Sequence, residues 1–465
     1  MFGPNGNLLT NAIQTNMLQR GFIDPLINEL VYREISDKEE FEGKWGTTIT
    51  KTRMGLMIPN MNPLDPSTNT NIDNGLTPIT YSDEQYTVGI AQYPQPAPNV
   101  NLLDNEIAIA NFAMANSERL GVAQATCVDR LARGALFNAY MSGNTFITVA
   151  ASSVTQRVDD TRGFQTVVIS TAGVGGTVVP VSVSNPLAVF VNGVANTVTG
   201  FSNDVSNIST TAATGGTSGT ITLGTTASTT AGQAVISAFA PFIVRPNGRS
   251  TSFAIQSTDL LNMKSILAAV TYLRNNKVPK IRGRYNLFCN ATSMNQLFQD
   301  PEFQLLNSTR GVSDPVYKNA EVTEFLDVRM IMTTETYVQA AGAVDGSITI
   351  PQGIERPIVC GAGVLVEEVF TQGLDAIKNL NGQLGIGQVS QSAGMRLMLP
   401  QAISKMGFSY YIRPPIDRLM QIMSQTSNYV GGFVVPTDTT TTSAIIPTAS
   451  NKYYKRAVVI ETASG

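Results

Sequence analysis

The chain has 465 residues, with 31 Lys or Arg against 34 Asp or Glu for a formal charge of −3, and it contains no histidine. That absence excludes Ser-His-Asp and Cys-His triads, His-ligated zinc or haem, and an imidazole switch near neutral pH. Only 14% of residues are charged, against about 25% in an ordinary soluble domain, which reads as a surface largely covered by other chains. A hydrophobic share of 43% describes a globular protein. No stretch supplies the roughly 18 uninterrupted apolar residues of a membrane span. Residues 1–20 are rich in Asn and Gln and lack the basic-then-apolar order of a secretory signal, so a cytoplasmic setting is expected. Cys127, Cys289 and Cys360 are far apart with no CxxC pair, the pattern of reduced, buried thiols and not of a disulfide framework or metal site. The weak net acidity gives no footprint of sequence-specific nucleic-acid binding.

Residues 1–46 read as a polar, mixed-charge arm with a helical candidate at 26–35. Its charges Asp37, Lys38, Glu39, Glu40, Glu42 and Lys44 read as a solvated face. In residues 47–100, strand-like runs at 47–53 and 85–91 bracket a loop, 59–80, of Asn, Pro, Asp and Thr. A long hairpin with so apolar-poor a tip has to lie on something else, and a neighbouring subunit is the natural candidate. Residues 101–144 hold the longest helical pattern, 102–140, with Ala113, Leu120, Ala123, Cys127, Leu131 and Ala135 at helical spacing. Asp129 and Arg133 form an i,i+4 pair, and Gly121 and Gly134 are points where the helix could kink.

The composition then changes. Between Gly163 and Val244 the only charged residue is Asp204. Strand-sized apolar pieces at 164–169, 177–183, 188–194, 220–223 and 234–238 predict a small all-β sandwich or barrel. Because helical sequence flanks it on both sides, 145–245 is read as an inserted, sandwich-like β domain. Asn192-Gly193 signals a hairpin turn, and the Thr/Gly-rich runs 211–219 and 225–232 read as mobile loops. In 246–465, Thr258 is the expected cap of a helix running to Asn275, with Leu260, Met263, Leu267 (or Ile266), Val270 and Leu273 facing a core and Pro279 ending it. A strand at 284–289, a short helix from Asn290 to 298, strands at 325–332 and 357–369 and a terminal strand at 454–461 follow. With no regular βαβ series the fold class is α+β.

Chemical motifs are few. Gly361-Ala362-Gly363 and the run Gly382, Gly385, Gly387 lack the Lys-Ser/Thr of a phosphate loop and read as turns. The adjacent acids Glu367-Glu368 and Asp159-Asp160 would point to opposite faces of a strand and cannot share a substrate. Methionines over 395–423 read as core filling. Asn207, Asn290 and Asn307 stand in glycosylation sequons that matter only in a secreted chain. No catalytic, cofactor-binding or metal-ligating residue is assigned.

The order of parts is arm, long hairpin, spine helix, then a helix, the strand 285–289 with its Asn290-Ala291-Thr292 helix start, and the strand 328–332. With the closing run Tyr453-Tyr454-Lys455-Arg456-Ala457-Val458-Val459-Ile460-Glu461, this order resembles the major capsid (coat) protein of tailed bacteriophages, the Hong Kong ninety-seven type of shell fold. The resemblance covers the chain outside 145–245. It implies an extended loop at 47–100 lying over a neighbour, a peripheral domain with its spine helix at 101–144, and an axial domain with the remaining peripheral strands in 246–465. The insertion would follow the spine helix, a less usual position. By function the resemblance implies a non-enzymatic structural protein that self-assembles into pentamers and hexamers of an icosahedral virion shell, built in the host cytoplasm around double-stranded DNA. The implied partners are copies of itself, scaffold, portal and decoration proteins, and DNA contacted non-specifically, with no membrane and no cofactor. Neither a cross-linking chemistry nor a prohead protease site is readable. Two alternatives remain from the residues: a surface-exposed adhesin or array protein, suggested by the Thr/Ser-rich β segment, and the shell of a cellular encapsulating compartment.

Overall fold

The computed structural model describes residues 20–26, 30–40, 48–54, 83–101, 112–171, 174–209, 216–307, 324–345, 348–370, 395–397, 406–413, 418–419, 421–438 and 452–464. The expected hairpin tip at 59–80, the start of the spine helix at 102–111, part of the loop 211–219, the glycines Gly382, Gly385 and Gly387, and much of the methionine-rich run lie outside these residues. The described part is a mixture of helices and sheets, as the α+β reading expects. It divides into two compact units: residues 1–50, 87–135 and 365–434 make the first, and 51–86, 136–364 and 435–465 the second.

The helix Phe112–Tyr140 has 29 residues, about 44 Å at 1.5 Å per residue. Ala113 and Leu120 are buried as expected, but beyond them the stripe differs: Ala125, Val128, Ala132 and Leu136 are buried, whereas Ala123 is exposed and Cys127, Leu131 and Ala135 are only partly covered. The face is rotated by one position because polar groups sit on it for a reason: Gln124 accepts a hydrogen bond from Ser427 Oγ (2.9 Å), and Asp129 is engaged by backbone amides described below. Gly121 is not a kink; a Cβ there would collide with the carbonyl of Phe22, so the glycine permits close approach of the helical residues 20–26.

In the first unit the long strand Ile422–Val434 pairs antiparallel with Leu365–Val369, Phe408–Arg413 and Ala91–Pro96. Ser36–Glu40 adds to the sheet edge, parallel to Leu365–Val369. The helical candidate at 26–35 is therefore corrected: residues 20–26 are helical, Tyr32–Ile35 is a single 3₁₀ turn, and the charged cluster that follows is an edge strand. Its side chains from Asp37 to Glu40 are exposed, as a solvated face requires, while its backbone is paired. Charged residues on an edge also discourage pairing with foreign strands.

In the second unit a closed six-stranded barrel is formed by Asn144–Val149, Ala151–Val158, Leu187–Val191, Val194–Ile208, Thr217–Thr229 and Ala234–Ser237. Ala234–Ser237 closes it by pairing with both Leu187–Val191 and Asn144–Val149. Of the two expected forms, sandwich and barrel, the sheet is the barrel, and alternation such as buried Leu187, Val189 and Val191 fills its interior. Closure leaves no unpaired edge to protect, which suits strands nearly free of charge. Asn192 (φ 49°) and Gly193 (φ 81°) make the expected two-residue turn. Residues 225–229, expected in a mobile loop, are strand. The runs expected at 164–169 and 177–183 are the hairpin Thr166–Thr171 and Val174–Pro180 outside the barrel, in a sheet with Thr48–Met54 and Asp83–Gly89.

A second sheet runs in the order Ile243–Val244, Ala457–Ile460, Ile358–Cys360, Tyr285–Cys289, Val328–Met332, Glu324–Phe325. Helix Met263–Asn275 packs on it through Ile266, Val270 and Leu273. Its cap is Asn262, whose side chain accepts from Ser265 N at 2.8 Å, in place of the expected Thr258. Asn290 caps Ala291–Gln299 in the same way. The closing strand Ala457–Ile460 is fully buried, flanked by a strand on each side.

Candidate functional site

The most heavily engaged charged groups join segments far apart in sequence, and three sites of this kind stand out. In the first unit Asp129, on the spine helix, accepts through Oδ1 from the backbone N–H groups of Val31 (3.0 Å), Tyr32 (2.6 Å) and Arg33 (3.2 Å). One carboxylate oxygen thus caps the 3₁₀ turn that carries the arm. Arg33 itself is 1% exposed and Glu367 0%. Its Nε reaches Glu367 Oε1 and Oε2 at 2.8 and 2.9 Å, and its Nη2 donates to Met406 O at 2.7 Å. Tyr429 OH (2.8 Å) and Ser36 Oγ (3.1 Å) also donate to Glu367. The guanidinium lies over the rings of Phe408 and Tyr429, 4.9 and 5.6 Å from their centroids. Burial, reinforced by the Glu367 carboxylate, drives the Tyr429 hydroxyl far above its ordinary value, so it stays a donor.

In the second unit Asp438 is fully buried between two guanidiniums. Oδ1 pairs with Arg53 Nη1 at 3.1 Å and with Arg456 Nε at 3.0 Å. Oδ2 accepts from Lys455 N at 3.2 Å. Arg53 also donates to Gly363 O (3.1 Å) and Arg456 to Ala362 O (3.0 Å). Gly361-Ala362-Gly363 is therefore a turn seating two arginines, with Gly363 at φ 70°. Burial and the neighbouring Arg456 lower the Arg53 pKa against the pull of Asp438. Arg53 stands on the strand Thr48–Met54, so this cluster fixes that strand to the chain's closing segment.

The third site secures the end of the chain. Glu461 is fully buried, with Oε2 2.7 Å from Arg245 Nε and Oε1 3.0 Å from Arg356 Nε. Burial alone would raise its pKa, but Arg245 and Arg356 outweigh burial and hold it below the ordinary value. Arg356 Nη2 continues to Gln339 Oε1 at 2.5 Å.

In all three sites carboxylate oxygens accept from guanidinium, hydroxyl or amide donors, an arrangement that fixes segments in place. Of the adjacent acids weighed from sequence, Glu367 belongs to the first site, Asp159 accepts from Ser209 Oγ (2.9 Å), and Asp160 pairs with Arg162 (2.7 Å). Cys289 and Cys360 are buried free thiols; burial pushes Cys289 up to about 12 and Cys360 higher still. Cys127 is half-buried, also with a raised pKa. Among the described residues no group of three or more His, Cys, Asp or Glu is placed to hold a metal ion.

Arg33, Asp438 and Glu461 carry no signal of these roles in the sequence, and Asp129 reads there only as the i,i+4 partner of Arg133. The readable signal is the place of Asp129, one position after Val128 on a helix whose true core face includes Val128.

No protein-family model matches the sequence, and no curated protein matches it. Among solved structures the chain is similar to the capsid of Ralstonia phage GP4, at 10% identity over 93% of this chain and 87% of that one, with a TM-score of 0.48. It is similar to the capsid of cyanophage P-SCSP1u at 10% identity over 94% and 89%, TM-score 0.47. A further similar structure is the acid-stable capsid of Helicobacter pylori bacteriophage KHP30, at 9% identity over 93% and 91%, TM-score 0.45.

Proposed function

We propose that this chain is the structural subunit of an icosahedral phage-type shell, assembling through pentamers and hexamers around double-stranded DNA. The observation that carries the reading is a pair of anchored strands. Thr48–Met54 and Asp83–Gly89 are neighbours in one sheet with residues 55–82 between them in sequence, and Arg53 on the first is ion-paired to buried Asp438. A run of that length, rich in Asn, Pro and Thr, has few apolar groups of its own to bury, and on this reading it is covered by another chain. The spine helix, the paired arm strand and the buried closing strand stand in the order a shell subunit needs, and each is locked by its own ion pair or capped turn. Scaffold, portal and decoration proteins are the partners such a shell would take, and the virion is its place.

Electron microscopy and sedimentation of the expressed protein, alone and with a scaffolding partner, test the proposal. Closed shells or sheets of capsomers are expected. Deleting residues 59–80 should abolish assembly while leaving the far-ultraviolet circular dichroism of the subunit unchanged. Protein that stays monomeric under every such condition would overturn the reading.

A further inference from the structure

Between Asp259 and Asp300 the chain has no acidic residue but six basic ones, Lys264, Arg274, Lys277, Lys280, Arg282 and Arg284, in a chain of net charge −3. Five of them fall within 274–284, where helix Met263–Asn275 ends and the chain turns into strand Tyr285–Cys289. Arg274, Lys277, Lys280 and Arg282 are exposed and Arg284 is half-buried. Among the described residues Asp327 faces this group, paired with Arg274 Nη2 at 2.8 Å and with Lys280. Four of the cations are exposed and that carboxylate engages two of them, which leaves a local excess of positive charge at Lys277 and Arg282.

The backbone sharpens the point. The helix closes with Lys277 N–H on Arg274 O (2.9 Å) and Val278 N–H on Leu273 O (3.1 Å), which sets Lys277 at φ 51°. Ile281 and Arg284 then exchange two backbone hydrogen bonds, 2.8 and 3.1 Å, around a tip made of Arg282 (φ 50°) and Gly283 (φ 85°). The left-handed positions of Lys277 and Arg282 suit Gly or Asn and strain a long L side chain, yet each carries a cation. Favourable charge at a helix C-terminus accounts for Arg274 and Lys277. It does not account for Arg282, which lies beyond the last turn.

We infer that residues 274–284 form a phosphate-binding surface that meets double-stranded DNA through its backbone, without reading sequence. The inference rests on the shell reading for the identity of its partner. It favours DNA over an acidic protein because the segment offers no exposed large apolar side chain: Val278 is buried and Ile281 half-buried. A protein–protein interface core would need one, whereas a polyphosphate needs only spaced cations.

The test is the double variant Lys277→Asn with Arg282→Asn. Asn accepts the left-handed backbone, so charge is removed without loss of fold, checked by thermal unfolding. Binding of the full chain to a 30-base-pair duplex of arbitrary sequence is measured across salt concentrations. With about 0.9 of log–log slope per phosphate contact, the variant should lose roughly 1.8 of slope and, at 0.1 M salt, on the order of a hundredfold in affinity. The loss should be equal on an unrelated duplex, and Arg282→Lys should retain binding. A folded variant with the wild-type slope overturns the inference, as does one that binds DNA normally but no longer associates with an acidic scaffold. If shells form and only the slope is unchanged, the shell reading stands alone. If no shell forms but the slope depends on these two residues, the phosphate surface stands and the shell reading falls.

Discussion

Replacing Arg33 by Met removes the cation from a pair in which neither partner touches solvent appreciably, 1% and 0% exposed. Breaking a buried ion pair by deleting one side costs about 3–5 kcal/mol, because the surviving charge is left uncompensated. Here Glu367 would keep two donors, Tyr429 OH at 2.8 Å and Ser36 Oγ at 3.1 Å, which puts the expected loss near the lower bound, about 3 kcal/mol. Adding Glu367→Gln removes the orphaned charge and retains an acceptor for Tyr429. The double variant should therefore cost only about 1–2 kcal/mol, chiefly the lost contact of the guanidinium with two rings. The two substitutions should couple by roughly 2 kcal/mol or more in a double-mutant cycle. The loss falls where the pair sits, so amide hydrogen exchange in Ser36–Glu40 and Leu365–Val369 is the proper assay. Exchange there should quicken on the order of a hundredfold in Arg33→Met, since 1.4 kcal/mol is a factor of ten, and recover most of its protection in the double variant. Additive effects of the two single changes would refute the argument that the pair acts as a unit.

Three further outcomes are expected. Glu461 is held below its ordinary value of 4.5, so its contribution to stability is present above about that pH and is lost as the pH falls through the lower folded value. Arg356→Met should raise the pH at which acid disrupts the second unit in a circular-dichroism titration, and an unmoved acid midpoint would contradict the assignment. Gly163→Ala should lower the melting temperature, because Gly163 has φ 77° and a Cβ would meet the Gly143 backbone; the strained backbone alone costs about 1–2 kcal/mol. Alkylation of the native protein should modify Cys127 before Cys289 or Cys360, since the latter two are buried with thiols pushed furthest up. Mass spectrometry showing Cys360 modified first would refute that order.

What the residues made legible followed local rules. The strand Tyr285–Cys289, the cap Asn290, the turn Asn192-Gly193 and the closing strand each depend on propensity, capping or turn chemistry within a few neighbouring positions. The failures came where a distant partner decided the outcome. The periodicity of the spine helix gives the right face at Ala113 and Leu120 and the wrong one from Ala123 on, because Gln124 and Asp129 look like solvent-facing residues until Ser427 and the amides of Val31, Tyr32 and Arg33 arrive. The charged run after Ile35 gave no hint of a strand, since its pairing comes from Leu365–Val369, more than 300 residues away. Strand runs at 164–183 were assigned to the β insertion on composition, which cannot tell a barrel strand from an adjoining hairpin of the same residue types.

The scarcity of charge, which first suggested a surface hidden by other chains, has a second source inside the fold. Thirteen charged residues are buried among the described ones, including Arg33, Arg356, Lys455 and nine of the acids besides Glu461. Buried charges of this kind are tolerated only when paired, and the pairs seen here span long separations, as between Arg33 and Glu367 or Arg53 and Asp438. The charge left for solvent is therefore sparser than the 14% composition states. Against that background the exposed cations of 274–284 are a concentration, and Arg282 at the left-handed tip, which neither the helix C-terminus nor Asp327 accounts for, is the residue whose removal separates a structural role from a phosphate-binding one.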